Sequence, residues 1–342
     1  MTPEDWIAAL GAAAAEARSN AGHADLHLQF GDHAVRIRVA PESMRSLLQP
    51  LAGLTVSGES GRTIELWDVP ACGVRPPSLP EEGRLAGPMG AIPWLGSAET
   101  AGAWQEPGRM LVAWNGRAGT VSGCIGQPAL LPSWQRAEPL RAPLNWALRG
   151  PRRALAHAAA VGHRERNTGL LIAGPGGSGK STTALSWLLA GGDFAGDNYV
   201  LVDLDPPNGP TAAPIYASAK ADAHAMSMHP ELAPVAHAGD DTLHGKSVLD
   251  VRDLRPDQPA GPIRVRAIVI SRVSGETEAD VRRISGASAL KSLAPSSLLQ
   301  LPGEAEGFAV LASLVRDLPC FEIDLARDSD ANVDALDKIL SA

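Results

Sequence analysis

The chain has 342 residues, of which 44% are hydrophobic and 20% are charged, a balance typical of folded domains that excludes a mainly disordered chain. Its formal net charge is −8 with no long run of basic residues, so we expect no nucleic-acid partner. The 3 cysteines form no CxxC pair, which argues against a disulfide framework or a zinc site.

The first part of the chain, residues 1–140, is predicted to be an α+β domain. Residues 1–18 have the pattern of an amphipathic helix and lack the basic and apolar regions of a signal peptide. No apolar run approaches the roughly 18 residues of a membrane span. We therefore expect a cytoplasmic protein with no membrane partner. The other elements predicted here are strands at 25–30, 34–39, 63–69 and 109–114 and a helix at 41–54.

The second part, residues 141–342, is predicted to be an α/β domain. Most of the tryptophans precede residue 150, and the Gly150-Pro151 pair breaks a helical pattern, so the domain boundary is placed near residue 140. The elements predicted here are strands at 154–161, 169–173, 199–202, 267–270 and 321–325 and helices at 181–189, 287–293, 307–318 and 333–340. A strand, loop, helix and strand in succession predict a pair of parallel strands.

A phosphate-binding loop follows the strand at 169–173. Residues 174–181 read GPGGSGKS and match GxxxxGK[ST] without a mismatch. Glycines allow backbone N–H groups to approach phosphate oxygens, and the start of the following helix adds partial positive charge. The residues predicted to bind a nucleoside triphosphate are Gly174, Gly176, Gly177, Ser178, Gly179, Lys180, Ser181 and Thr182. Lys180 is expected to contact the β and γ phosphates, and the Ser181 hydroxyl to ligate Mg²⁺, so ATP and Mg²⁺ are the predicted cofactors.

Phosphoryl transfer needs an acidic group near the γ phosphate, either as a metal ligand or as a base. Asp197 lies where the chain leaves the helix and starts the next strand, and Asp203 ends that strand. We favour Asp197 for this role and interpret Asp203 as a strand-end acid. Lys220 and Lys246 are further candidates, because cationic side chains stabilise a transferring phosphate.

A resemblance becomes specific at this point. The segments 155–158 (LAHA), 174–182 and 196–200 (GDNYV) resemble those of HPr kinase/phosphorylase, a protein-serine kinase whose P-loop fold is similar to that of phosphoenolpyruvate carboxykinase. The segments 64–68 (IELWD), 216–220 (YASAK) and 246–251 (KSVLDV) are similar to those of HPr-kinase-like proteins that include kinases of lasso-peptide precursors. The resemblance implies an α/β P-loop kinase core with an N-terminal α+β domain for recognition or assembly.

The resemblance also implies roles for single residues. Asp197 would be the base that accepts or polarises the proton of the acceptor hydroxyl, and His157 would orient Asp197 or tune its protonation. Lys180 and Lys246 would complete the catalytic set, and Ser181 with Asn198 would hold the metal. The family has a second Asp where this chain has Asn198.

Two functions from different classes follow. The first is a Mg-ATP-dependent kinase that phosphorylates a serine hydroxyl of a protein or peptide, such as a lasso-type ribosomal-peptide precursor. The sequence leaves open whether the protein forms a homo-oligomer. The second is an ATP-binding regulatory or assembly module without phosphoryl transfer, which the neutral Asn198 supports. A motor-type ATPase is disfavoured because the sequence has no evident sensor or arginine-finger segment.

Overall fold

The computed structural model describes residues 1–58, 60–84, 87, 90–97, 99–240, 245–301 and 304–341. The chain divides into two compact units. Met1–Gln49 and Leu54–Leu148 form most of the first, and Pro50–Gly53, Arg149–Leu299 and the segment from Glu304 form the second. The predicted boundary after residue 140 precedes a helix that stays with the first unit.

The first unit is built on a mixed β-sheet. Its strands are β1 (Ala24–Phe30), β2 (His33–Ala40), β3 (Leu54–Thr55), β4 (Thr63–Asp68), β5 (Thr100–Gln105), β6 (Met110–Asn115) and β7 (Thr120–Ile125). Its helices are α1 (Pro3–Ala21), α2 (Val69–Cys72), α3 (Ser133–Ala137) and α4 (Arg141–Leu148). The strand order is β3-β1-β2-β4-β7-β6-β5. Helix α1 begins with a capping box between Thr2 and Asp5, and it buries Trp6 and Leu10 in a core cluster with Trp67.

Residues 41–54 do not form the predicted α-helix. Glu42–Leu48 is a 3₁₀ helix that buries Met44 and Leu48, so the apolar spacing does mark a buried face. Pro50 cannot donate a backbone hydrogen bond, which ends the helix, and the chain then enters the second unit before β3.

The second unit is an α/β structure with a mixed sheet. Its strands are β8 (Arg153–Ala156), β9 (Ala159–His163), β10 (Thr168–Ala173), β11 (Asp193–Gly196), β12 (Val200–Asp203), β13 (Thr211–Pro214), β14 (Ser218–Ala221), β15 (His237–Ala238), β16 (Ser247–Asp250), β17 (Ile263–Val273), β18 (Asp280–Ile284) and β19 (Cys320–Leu325). Its helices are α5 (Lys180–Leu189), α6 (Ala223–Met228), α7 (Val251–Leu254), α8 (Gly286–Leu298), α9 (Glu304–Asp317) and α10 (Ser329–Ser341). The main sheet runs β11-β9-β10-β17-β13-β12-β8, with β19 on β17 and β18 on β19, and β14-β16-β15 form a small sheet.

The strand pairing near the loop differs from the sequence prediction in two ways. Residues 154–161 form two strands, because β8 pairs with β12 while β9 pairs with β10 and β11, and the chain bends at His157 to change partners. The parallel partner of β10 is β17. The strand that follows helix α5 is β11, and β9 lies between it and β10.

Alternate residues of β10 face two separate cores. Leu170 and Ile172 pack in one cluster with Trp187 of α5, whereas Leu171 packs in another with Leu293 of α8. This period of two is that of a strand buried on both faces. The helices on both faces fix the end of β10, and with it the loop that leads into α5.

None of the described helices is both long and apolar enough to cross a membrane. All three cysteines are buried as free thiols.

Candidate active site

The loop between β10 and α5 has the backbone conformations that its glycines allow. Gly174, Gly177 and Gly179 have φ values of 147°, 79° and 92°. A Cβ on Gly179 would lie 2.4 Å from the Leu325 side chain, so this position has neither the conformation nor the space for another residue. A Cβ on Gly176 or Gly177 would meet nothing within 4 Å. The outer face of the loop is therefore open at the N-terminus of α5, where an anion is favoured.

Lys180 is folded over this loop. Its ammonium group donates hydrogen bonds to the carbonyl oxygens of Gly174 at 2.8 Å and Pro175 at 3.0 Å. Burial lowers the pKa of Lys180, and the charge of Lys246 lowers it further, whereas Asp197 acts in the opposite direction. The amine therefore lies within electrostatic range of both a candidate base and a second cation.

Asp197 occupies the tight turn between β11 and β12. Asn198 has a left-handed φ of 70°, and the Tyr199 N–H donates to the Asp197 carbonyl at 2.9 Å. The Asp197 side chain is only 1% exposed, and among the described residues neither carboxyl oxygen has a partner at hydrogen-bonding geometry. Burial raises the pKa of Asp197, while the nearby Ser181 hydroxyl and the positive charges of Lys180 and Lys220 act to lower it. This carboxyl group therefore holds a proton more readily than an exposed one.

His157 contacts the neighbour of Asp197. It lies at the bend between β8 and β9, and its Nε2 is 2.8 Å from the Asn198 Oδ1. Because an amide oxygen only accepts, Nε2 is the donor. The His157 backbone N–H donates to the Ser297 hydroxyl at 2.9 Å, which fixes the bend. His157 therefore orients the Asn198 side chain.

Lys220 and Lys246 come together through the small sheet. Strand β14 pairs antiparallel with β16, with Lys220 opposite Val248, and Lys246 directly precedes β16. Both lysines line the cleft above the loop. The charge of Lys246 acts on the pKa of Lys180 and that of Lys220 on the pKa of Asp197, so both lysines lie within electrostatic range of the predicted site.

A cleft of about 910 Å³, a volume that includes open solvent, brings most of the predicted residues together. The predicted residues that line it are His157, Gly176, Gly177, Ser178, Gly179, Lys180, Ser181, Thr182, Asn198, Lys220 and Lys246. Gly174 turns inward, where its Cβ position is blocked by the Ser178 hydroxyl, and Asp197 lies below the surface. Asp203 does not line the cleft; it accepts a hydrogen bond from the Asp205 N–H at 2.9 Å.

The cleft also contains residues that the sequence did not single out for this site. Asp222 and His224 follow Lys220 closely, so proximity to a candidate lysine was a usable signal. Val273, Leu325 and Ala326 lie at the ends of β17 and β19 and look like ordinary strand residues in the sequence.

Four histidines lie close together in the sequence, at positions 224, 229, 237 and 244. The described members of this set do not form a metal centre. His224 lines the cleft, whereas His229 is buried and hydrogen-bonded to the Ser186 hydroxyl at 2.8 Å; His244 lies outside the described residues. Among the residues described, no group of three or more His, Cys, Asp or Glu side chains could hold a metal ion.

Comparisons with known proteins find similarity among solved structures. No family model matches the chain, and no curated protein matches it. Among solved structures, the chain is similar to the "Hpr(Ser) kinase/phosphatase from Coxiella burnetii", with 14% sequence identity over 48% of this chain and 94% of that chain. The TM-score is 0.23, at which the likeness does not by itself establish fold or activity.

Proposed function

We propose that the protein is a Mg-ATP-dependent kinase that transfers a phosphoryl group to a hydroxyl group of a protein or peptide. The observation that carries the proposal is the place of Asp197: a buried carboxyl group with a raised pKa beside the Ser181 hydroxyl and within electrostatic range of Lys180 and Lys220. A carboxyl group next to a phosphate loop can accept the proton that an attacking hydroxyl loses.

The residues of the cleft fit the triphosphate and its cation. The open face of Gly176 and Gly177 admits phosphate oxygens, and Lys180 supplies positive charge. The Ser181 hydroxyl and the Asn198 Oδ1 are oxygen ligands of the kind that Mg²⁺ prefers. Mg²⁺, when bound, would neutralise charge on the phosphates.

The proposed reaction transfers the γ phosphoryl group of ATP to the acceptor hydroxyl. The acceptor oxygen forms a bond to the γ phosphorus, the bond from that phosphorus to the bridging oxygen breaks, and ADP leaves. Asp197 takes the hydroxyl proton, and Lys220 and Lys246 offset the negative charge on the transferring group. Serine as the acceptor, a lasso-type precursor as substrate and a cytoplasmic location rest on the sequence resemblance.

The experiment uses γ-labelled ATP, Mg²⁺ and candidate acceptor peptides with the full chain. Asp197→Asn is expected to lower peptide labelling by about a hundredfold or more while nucleotide binding survives, because general-base catalysis contributes about 10²–10⁴-fold. Asp203→Asn is the matched control: it changes an acid of the adjoining strand outside the cleft and should label normally. Equal labelling by wild type and Asp197→Asn would exclude Asp197 as the base.

A second variant tests the phosphate loop. Lys180→Ala is expected to weaken ATP binding about tenfold or more, because the lost charge–phosphate contact is worth roughly 1.5–3 kcal/mol. Unchanged affinity, measured by calorimetry, would exclude the loop as the triphosphate site.

One observation favours the regulatory alternative. Asn198 contributes no charge, and its Oδ1 already contacts His157. ATP binding that depends on Lys180, with no labelled acceptor in any peptide or protein extract, would favour a nucleotide-binding module over a kinase.

A further inference from the structure

A second concave surface lies at the opposite end of the sheet from the phosphate loop. Strands β10 and β17 run parallel, so the loop follows the last residues of β10, whereas this groove lies at the first residues of β17. Its volume is about 1010 Å³, which includes open solvent, and all the residues that line it belong to the second unit. The lining of this distal groove includes Arg264, Arg266, Leu318, Phe321, Ile339 and Leu340.

An irregularity in β17 places both arginines on one face of the sheet. Successive residues of β10 lie opposite Val265 and Ala267, so Arg266 is an extra residue without a partner in β10. The extra residue reverses the alternation of the strand: Val265 packs in the core cluster that contains α8, whereas Ala267 packs in the cluster that contains α5 and α10. Arg264, Arg266 and Ala267 therefore share the face on which α10 lies.

The rest of the distal groove is apolar. Phe321 of β19 and Ile339 and Leu340 of α10 are partly buried against the core cluster of this face. Leu318, shortly before β19, is partly buried as well. Each of these side chains keeps part of its apolar surface in contact with solvent. An apolar side chain of a ligand would remove that surface from water, and this burial is favourable.

The two arginines of the groove have no anionic partner in the part of the chain that the structure describes, where neither guanidinium group makes a hydrogen bond or an ion pair. Acidic residues close to the groove in sequence are already paired. Asp317 lies 2.8 Å from Arg316, and Asp337 lies 2.9 Å from His163. Residues two apart on a strand are separated by roughly 7 Å, and like charges at that distance repel. An anion bound between the arginines would offset this repulsion.

We propose that the distal groove binds an acidic segment of a partner protein. A large apolar side chain of that segment lies against Phe321 and α10, and its carboxylates pair with Arg264 and Arg266. Guanidinium groups suit this role because their N–H donors match the two oxygens of a carboxylate. The groove is separate from the cleft, so this inference does not depend on the proposed phosphoryl transfer.

The charges of the chain favour a peptide over a membrane or a nucleic acid. Anionic membranes are typically bound by clusters of about four to eight basic residues, whereas the lining of the groove contains the two arginines alone. The net charge of −8 also repels partners that are rich in phosphate. A short acidic segment with an apolar residue matches a pair of cations beside an apolar surface.

The experiment selects short random peptides, displayed on phage, on the immobilised full chain without nucleotide. Peptides that bind wild type are expected to carry Asp and Glu around a Leu, Ile, Phe or Met, and Arg264→Glu/Arg266→Glu should not retain them. This charge-reversed protein should instead retain peptides with Lys and Arg around the apolar residue, because the complementary charge has changed sign. Arg283→Glu/Lys291→Glu is the matched control: it makes the same change in net charge at two exposed residues outside the groove and should retain the wild-type set.

One selected peptide, synthesised with a fluorescent label, then gives affinities by anisotropy. We expect Arg264→Gln/Arg266→Gln to weaken its binding about tenfold or more, because two charge-assisted contacts are lost. Replacing the apolar residue of the peptide by Ser should weaken binding to wild type by a similar factor. Urea unfolding shows which variants fold, and the neutral pair serves if the charge-reversed protein does not.

Three results would overturn the proposal. The first is retention of the same peptides by wild type and the charge-reversed or neutral pair, and the second is a wild-type selection without acidic, apolar peptides. The third is binding of phosphatidylserine–phosphatidylcholine vesicles through the two arginines while no peptide binds there, which would make the groove a membrane contact. Since nucleotide is absent throughout, none of these results bears on the kinase proposal.

Discussion

At the scale of the residue, the environment of Asp197 is unfavourable for stability. A buried carboxyl group without a hydrogen-bond partner at good geometry costs free energy when it is charged. The turn that holds it requires a left-handed Asn198, a second local cost. Such features persist where the surrounding structure supports them, and here β11 and β12 anchor the turn on both sides.

The raised pKa of Asp197 predicts how stability varies with pH. The folded state holds the proton to higher pH than the unfolded state, whose carboxyl pKa is about 3.9, so the free energy of unfolding falls as the pH rises from about 4 through the folded-state pKa. Asp197→Asn removes this dependence. Its free energy of unfolding, relative to wild type, should therefore increase as the pH rises through the folded-state pKa of Asp197.

Urea unfolding of both proteins between pH 4 and pH 8 measures this difference. A difference that stays constant across the range, or that shrinks as the pH rises, would contradict the raised pKa.

Two glycines of the phosphate loop should respond differently to the same substitution. Gly179→Ala places a Cβ 2.4 Å from Leu325 at a φ of 92°, so we expect a loss of about 1–3 kcal/mol in the free energy of unfolding. Gly176→Ala meets nothing within 4 Å and should change this free energy by less than about 0.5 kcal/mol. Equal losses in the two variants would show that the loop has another conformation.

At the scale of the element, helix α5 is held by more than its apolar face. Trp187 and Leu188 pack in the core, and the Trp187 indole N–H donates to the Gly162 carbonyl at 3.1 Å. On another side, the Ser186 hydroxyl contacts His229, which directly follows α6, at 2.8 Å. This contact ties the segment that carries Asp222 and His224 to the helix that begins at the phosphate loop. The segment is therefore part of the packed unit.

The Ser186–His229 contact can be tested by removing the hydroxyl. Ser186→Ala leaves a buried histidine nitrogen without this partner, so we expect a loss of about 1–3 kcal/mol in the free energy of unfolding. Ser292→Ala is the control, because its hydroxyl makes only a long helix contact of 3.5 Å to the Ser288 carbonyl, and its effect should stay within about 0.5 kcal/mol. Losses of the same size in a urea titration would mean that the His229 contact adds no stability.

At the scale of the whole molecule, the second unit is not continuous in sequence. Residues 50–53 belong to it, although they lie about 100 residues before its main segment. The Ala52 N–H donates to the Ile215 carbonyl at 2.9 Å, and the Pro50 carbonyl accepts from the Ala217 N–H at 2.8 Å. These bonds fix the chain just before β14, the strand that carries Lys220. A fragment that starts at residue 149 would lack them.

A single backbone change tests this long-range contact. Ala52→Pro removes the N–H donor and leaves the Ile215 carbonyl unpaired, so we expect the free energy of unfolding to fall by about 1–3 kcal/mol. Ala52→Ser keeps the N–H and serves as the control. If the two variants unfold at the same urea concentration, residues 50–53 do not support the second unit.

Some features could be predicted from the sequence because their signals are local. The glycine spacing and Lys180 identify the loop, alternating apolar residues identify β1 and β2, and a short apolar run identifies β10. The structure of residues 41–54 was not predictable in this way, because their apolar spacing suits an α-helix. They form a short 3₁₀ helix instead, and residues 50–53 then belong to the second unit. The division of residues 154–161 into β8 and β9 was not predictable for a related reason. The two strands pair with different partners, and the partners decide where a continuous apolar run is broken.

The sequence by itself determined the position of the glycine-rich loop at 174–181 and the residue types available for chemistry, because backbone conformation at glycines and the charges of side chains are properties of short segments. Only the tertiary structure decided that Asp197 is buried, that His157 contacts Asn198, and that Val273 and Leu325 form a wall beside the loop. Burial and contact depend on which strands become neighbours in the sheet. That choice is made by packing across the whole unit, between residues far apart in the chain.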